Sequence, residues 1–217
     1  MLGPRKGKYN YDGSVNSMPG SNIPMAALGA WILWLGWFGF NGGSELKVSE
    51  VSSATAVSQV FLNTNMAAAG GVVATLFMSL FLTGKMDVTM AINGAIAGLV
   101  SITADPLSPT GGTAVLVGAL GGALVYVSIL FLEKKGIDDP VGAISAHGTV
   151  GIYGVLVVSL TGGADFLGQL TGVVMIAAFT YIASLGVIYA INFVMPIRAT
   201  DEEQDAGLDI SEVGIEA

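Results

Sequence analysis

Cysteine is missing from this chain, histidine occurs once, and only 11% of the residues are charged. The first absence removes disulfides, thiolate metal sites and cysteine nucleophiles together. One histidine with no carboxylate or thiolate nearby in sequence offers too few ligands for a metal site. Soluble domains usually carry about 25% charged residues, so a water-facing surface on all sides is not expected. The 8 basic residues are outnumbered by 16 acidic ones, and a basic nucleic-acid footprint is absent. Catalytic signatures are missing too: there is no HExxH, no phosphate loop and no nucleophile–base pair, so an enzyme is not expected. No cofactor is implied. Lys47, Lys85, Lys134 and Lys135 all lie outside the apolar stretches, which disfavours a retinal protein, and the paired Asn-Pro-Ala boxes of water-channel porins are lacking.

What the chain has in abundance is apolar length. Hydrophobic residues make up 53% and the mean hydropathy is +0.72. Crossing a bilayer takes roughly 20 apolar residues, because ~30 Å of hydrocarbon is covered at ~1.5 Å per residue. About six transmembrane helices are expected, over residues 25–43, 57–83, 88–104, 112–133, 141–160 and 166–195. The fold class is therefore all-α, a polytopic membrane helical bundle. Residues 1–24 form an N-terminal segment with no apolar run long enough for a signal peptide, 25–197 the membrane domain, and 198–217 an acidic tail. Asp201, Glu202, Glu203, Asp205, Asp209, Glu212 and Glu216 hold most of the net charge of −8, and the rest of the chain is close to neutral. The acidic run by itself reads as a solvated end.

Threading six spans puts Arg5, Lys6, Lys8, Lys85, Lys134, Lys135 and Arg198 on one face and Lys47 alone on the other. That bias places both termini in the cytoplasm. Helical rather than barrel spans imply the cell (inner) membrane.

Glycine is frequent, at 31 residues. Runs such as 94–98 and 118–122 allow close approach of helix backbones, the usual route to packing in lipid. Polar groups inside spans are costly. Asn63, Asn65, Asn93 and Asn192 read as bonds between helices. His147 differs in kind: a neutral imidazole can relay a proton or hold a small polar solute, or can rest on a neighbouring carbonyl, and its chemistry leaves both open. Trp31 and Trp34 suit an interfacial belt. Trp37 and Phe40, followed by Ser44, offer aromatic faces beside a hydroxyl, which suits a small cation.

Several runs carry a family resemblance. Residues 37–44 (Trp37 to Ser44), 61–69 (Phe61 to Ala69), 94–100 (Gly94 to Val100), 136–148 (Gly136 to Gly148), 163–170 (Gly163 to Leu170) and 207–212 (Gly207 to Glu212) resemble, in order, motifs of the Amt/Mep/Rh ammonium transporters. The resemblance spans essentially the whole chain. It implies the second half of an eleven-helix fold: the second inverted repeat, the final helix and the tail. Inverted repeats set the substrate path at their interface. By the same resemblance, Ser44 and nearby rings match an outer ammonium recruitment site, and Phe40 one ring of a gate. His147 matches the second of two pore histidines, Trp37 and Thr103 border the pore, and Asp138 and Asp139 form a cytoplasmic turn below the histidine helix. A homotrimer is implied, as is a PII-type regulator contacting the tail, with Gly207, Leu208, Asp209 and Ile210 as docking segment.

The match has departures. Gly142 stands where many members have aspartate, and Val213 where a tail histidine is common. The start resembles the end of the family's fifth helix, so the first five helices, the first pore histidine and the partner gate ring are not in the sequence. The chain therefore reads as a fragment or truncation, with assembly from two halves as a further option. A regulatory or assembly subunit, or a transporter of another small solute, are the alternative functions.

Overall fold

The computed structural model describes residues 3–215; Met1 and Leu2 of the starting segment and Glu216 of the acidic tail lie outside the described residues. Six apolar helices follow one another: α1 Ile23–Gly43, α2 Val51–Thr83, α3 Val88–Ile102, α4 Gly111–Lys134, α5 Val150–Thr161 and α6 Phe166–Val194. A π-helical turn, Ile144–Thr149, leads directly into α5. A short α7, Asp201–Ala206, and a single π turn, Asp209–Val213, make up the tail. Outside the helices, the described residues pair as β-structure only at the isolated bridge between Tyr9 and Val15.

Four of the six apolar helices begin at a short polar side chain. Asn22 accepts a bond from the Met25 amide at the head of α1, with a proline in the first turn. Asp87, Thr110 and Asp165 do the same for α3, α4 and α6. Each satisfies amides that the helix leaves unbonded. Gly84, at φ +75°, closes α2 in the left-handed region that a side chain disfavours.

Five helical segments are long and apolar enough to cross a membrane, counting the π turn with α5 as Ile144–Thr161. The exception is α3, whose 15 residues cover roughly 22 Å at ~1.5 Å per residue. It is the helix most enclosed by its neighbours, packed between α2 and α4, so its ends need not meet lipid. The α2–α3–α4 contacts are backbone against backbone. A methyl on Gly71 would fall on the Gly94 carbonyl, one on Gly98 or Gly118 on the Ala67 carbonyl, and one on Gly70 on the Val115 carbonyl. The core is accordingly small-residued: Ala68, Ile96, Ala97, Leu99, Val125, Ala146 and Val150 form one cluster. At the opposite extreme, α6 has no buried residue and among the helices meets only α5.

Candidate functional site

Three groups of candidate residues lie along the bundle. At the end of α1, the Trp37 indole N–H donates to the Thr103 hydroxyl at 2.7 Å, and that hydroxyl donates to the Leu99 carbonyl at 2.7 Å. The relay joins α1 to the end of α3 and fixes the plane of the ring. Phe40 lies one turn on, its ring 5.7 Å from that of Trp37 and tilted by 51°; it is exposed. The Ser44 hydroxyl donates back to the Phe40 carbonyl at 3.0 Å. Trp34, which the sequence suggests for an interfacial belt, instead packs with Trp37 against the core cluster, while Trp31 stays outside at 71% exposure.

His147 lies in the π turn, exposed, with no side-chain hydrogen bond among the described residues. Its neighbours Ser145, Ala146 and Val150 are buried. The turn is held at its foot by Asp139, whose carboxylate accepts from the Ile144 amide at 3.2 Å and the Ser145 amide at 3.1 Å. Gly142 stands at φ +75° with Asn93 Oδ1 where a Cβ would go. Any side chain at that φ would be strained, and Asn93 would have to shift to admit one.

Asp138 turns the other way. Arg5 grips it with its backbone amide at 2.9 Å and with Nε and Nη2 at 2.8 Å. The guanidinium bonds hold the Asp138 carboxyl below the usual carboxylate range against the opposing effect of burial. Lys8 pairs with Glu133 at 2.7 Å. These contacts tie the N-terminal segment to the α4–α5 connection. A cavity of about 620 Å³ lies there, with Tyr9, Asp87, Asn93, Asp138, Asp139 and Gly142 in its wall. Among the described residues the buried Tyr9 hydroxyl has no partner, and desolvation pushes its pKa up.

The acidic tail is not merely solvated. Thr200 and Glu203 form a reciprocal capping box on α7, and the Lys6 ammonium meets Asp205 at 2.6 Å while the Lys6 amide donates to Gln204 at 3.1 Å. Arg198 donates to the Pro4 carbonyl at 2.8 Å. N-terminal segment, α4–α5 connection and tail thus share one face. Beyond α7, Gly207 is at φ +93°, Leu208 and Ile210 are exposed, and Asp209 opens the final π turn.

Sequence reasoning misses Ser128, Ser145 and Thr149, whose hydroxyls meet between α4 and the π turn. A serine amid the apolar run of α4 is the available signal, because an unpaired hydroxyl there would be costly. Asn63, expected to bond helix to helix, instead donates its amide to the loop carbonyls of Pro106 and Pro109, at 2.9 and 2.6 Å. Asn41 does join two helices, donating to Thr64 at 3.0 Å. Among the described residues no group of three His, Cys, Asp or Glu side chains could hold a metal ion.

The model of the Ammonium Transporter Family matches residues 1–217. The chain is 36% identical over 233 residues to Ammonium transporter Amt2 of Archaeoglobus fulgidus, covering 98% of itself and 49% of that relative. Against the ammonium transporter of Bacillus subtilis it is 33% identical over 234 residues, covering 100% of itself and 55% of the relative. Among solved structures it resembles one described as a Sensor Amt Protein, with a TM-score of 0.85, 39% identity, and coverage of 97% of this chain and 54% of that one. Mep2 of Candida albicans gives a TM-score of 0.79 at 26% identity over 93% of this chain and 48% of its own. The chain spans about half the length of the relatives it matches.

Proposed function

The chain belongs to the ammonium transporter family, and from that premise we propose that it builds half of an ammonium-conducting pore in the cell membrane. The family match along all 217 residues carries the reading. Support comes from Trp37 and the helix bearing His147, which are anchored on one core cluster, and from Thr103, which holds the Trp37 ring.

In this reading ammonium is recruited beside Ser44 and the α1 rings, where a π face attracts a cation stripped of water. Phe40 lines the passage below. His147, with one donor and one acceptor nitrogen in its neutral form, takes up ammonia and passes a proton. The cavity at the foot of the π turn, with Asp138 and Asp139 in its wall, is the inner mouth. Both termini are cytoplasmic, three copies assemble, and Gly207 to Ile210 dock a PII-type regulator.

Methylammonium uptake into liposomes tests this. Saturable uptake blocked by ammonium, and lost or altered in selectivity with His147→Ala, is expected once the pore is whole, whether from this chain alone or with a five-helix partner. Uptake unchanged by His147→Ala would remove the histidine from the mechanism. A sensing role is the second reading, favoured by the likeness to the Sensor Amt Protein and by the tail's docking on Lys6. Ammonium binding without flux would select it.

A further inference from the structure

The π turn around His147 is the least regular backbone in the membrane bundle. The Val150 amide bonds back to the Ser145 carbonyl, five residues away, rather than to Ala146. Such widened turns are rare, occur mostly as single turns within α-helices, and are frequent at functional sites. Something local has to hold this one open.

Three hydroxyls do so from the side of α4. Ser128 Oγ donates to Ser145 Oγ at 3.0 Å and shares a 2.9 Å bond with Thr149 Oγ1. A hydroxyl has one proton, so with that of Ser128 given to Ser145, Thr149 is the donor in the second bond. The three form a directed chain from Thr149 through Ser128 to Ser145. Ser128 and Ser145 are buried. The chain clasps the turn near both of its ends, while Asp139 fixes the Ser145 amide from below.

His147 lies two residues from each clasped position. Two residues carry a helix round by roughly 160–200°, so His147 projects on the side opposite α4, and it is exposed while Ser145, Ala146 and Val150 are buried.

We infer that the Ser128–Ser145–Thr149 hydroxyl chain is a positioning device for His147: it holds the widened turn and so sets the direction of the imidazole. Without a hydroxyl the turn relaxes toward α-helical register, which rotates His147 by up to one residue's step, about 100°. The consequence for transport rests on the proposed pore role of His147; the positioning itself does not.

The sole histidine makes the test clean. The full chain, labelled with ¹⁵N only in histidine and held in lipid nanodiscs, gives one pair of imidazole nitrogen signals. Thr149→Val, which conserves volume, and Ser128→Ala are expected to shift or split that pair while circular dichroism stays at the wild-type helix content. Thr149→Ser, which keeps the hydroxyl, is expected to leave it in place. Imidazole signals at wild-type positions in both hydroxyl-deleting variants would overturn the inference, as would a shift in Thr149→Ser equal to that in Thr149→Val. Should both deletions fail to fold, Thr149→Ser and Ser128→Thr decide it, because wild-type signals are then required and displaced ones refute. Shifted imidazole signals with methylammonium uptake unaltered in the complete pore would support the positioning and count against the pore role of His147.

Discussion

Trp37 and Thr103 are 66 residues apart, and only folding gives them a common purpose. Thr103→Val keeps the shape and removes the acceptor, leaving a half-buried indole N–H unbonded at a cost of about 1–3 kcal/mol. A lower thermal midpoint is expected, with altered methylammonium uptake in the complete pore if the ring's plane matters. Asp138 makes a second residue-scale prediction. Its carboxyl is depressed in the folded chain, so its contribution is complete above the unfolded value of about 3.9 and is lost as pH falls from there through the lower folded value. Arg5's side chain is 40% exposed, and solvent screening keeps the effect below about 1 kcal/mol. Protease cleavage within residues 5–16 should therefore rise below about pH 4, and Asp138→Asn should already show the raised rate at neutral pH.

Among the elements, glycine has two roles that composition does not separate. In the α2–α3–α4 layer, Gly71 lies against the Gly94 carbonyl, whereas a methyl added to Gly29 of α1 would have nothing within 4 Å. Gly71→Ala should cost about 1–3 kcal/mol through overpacking. Gly29→Ala should be neutral or gain up to about 1 kcal/mol in helix propensity. Thermal unfolding of the two variants in the same detergent checks the contrast. Helix ends lie closer to the sequence expectation than helix starts: α2 begins at Val51, six residues before the expected 57. Asp, Asn and Thr cap four of the starts because their side chains serve free amides, but the expected span over 141–160 does not show that Asp139 binds the Ile144 and Ser145 amides or that the segment opens with a π turn. Replacing Asp139 by Ala should cost about 1 kcal/mol and speed hydrogen exchange at the Ile144 and Ser145 amides, with the remainder of α5 unchanged.

At the scale of the molecule, one face gathers the N-terminal segment, the α4–α5 connection and the tail through the Arg5–Asp138, Lys8–Glu133 and Lys6–Asp205 pairs. The opposite end carries Lys47 and Glu50, themselves an ion pair. The absence of cysteine makes this arrangement directly measurable. A membrane-impermeant maleimide should label Ser49→Cys in intact cells and Ser14→Cys only after permeabilisation; the reverse pattern would invert the proposed orientation. The α6 helix buries no residue and presents exposed apolar side chains such as Phe179, Ile182 and Phe193.

Sequence alone determined the class of molecule, the number and order of its apolar helices, the bias of its basic residues and its family. Those properties follow from hydropathy, the placement of charges and local motifs, each readable along the chain. Tertiary structure decided what depends on approach across the chain. It set the Trp37–Thr103 bond, the Arg5 grip on Asp138, the positive φ at Gly142 and the hydroxyl chain behind His147. Hydropathy sums along the chain, whereas a hydrogen bond between distant helices requires two backbones to meet at a given distance and angle. No local pattern encodes that geometry.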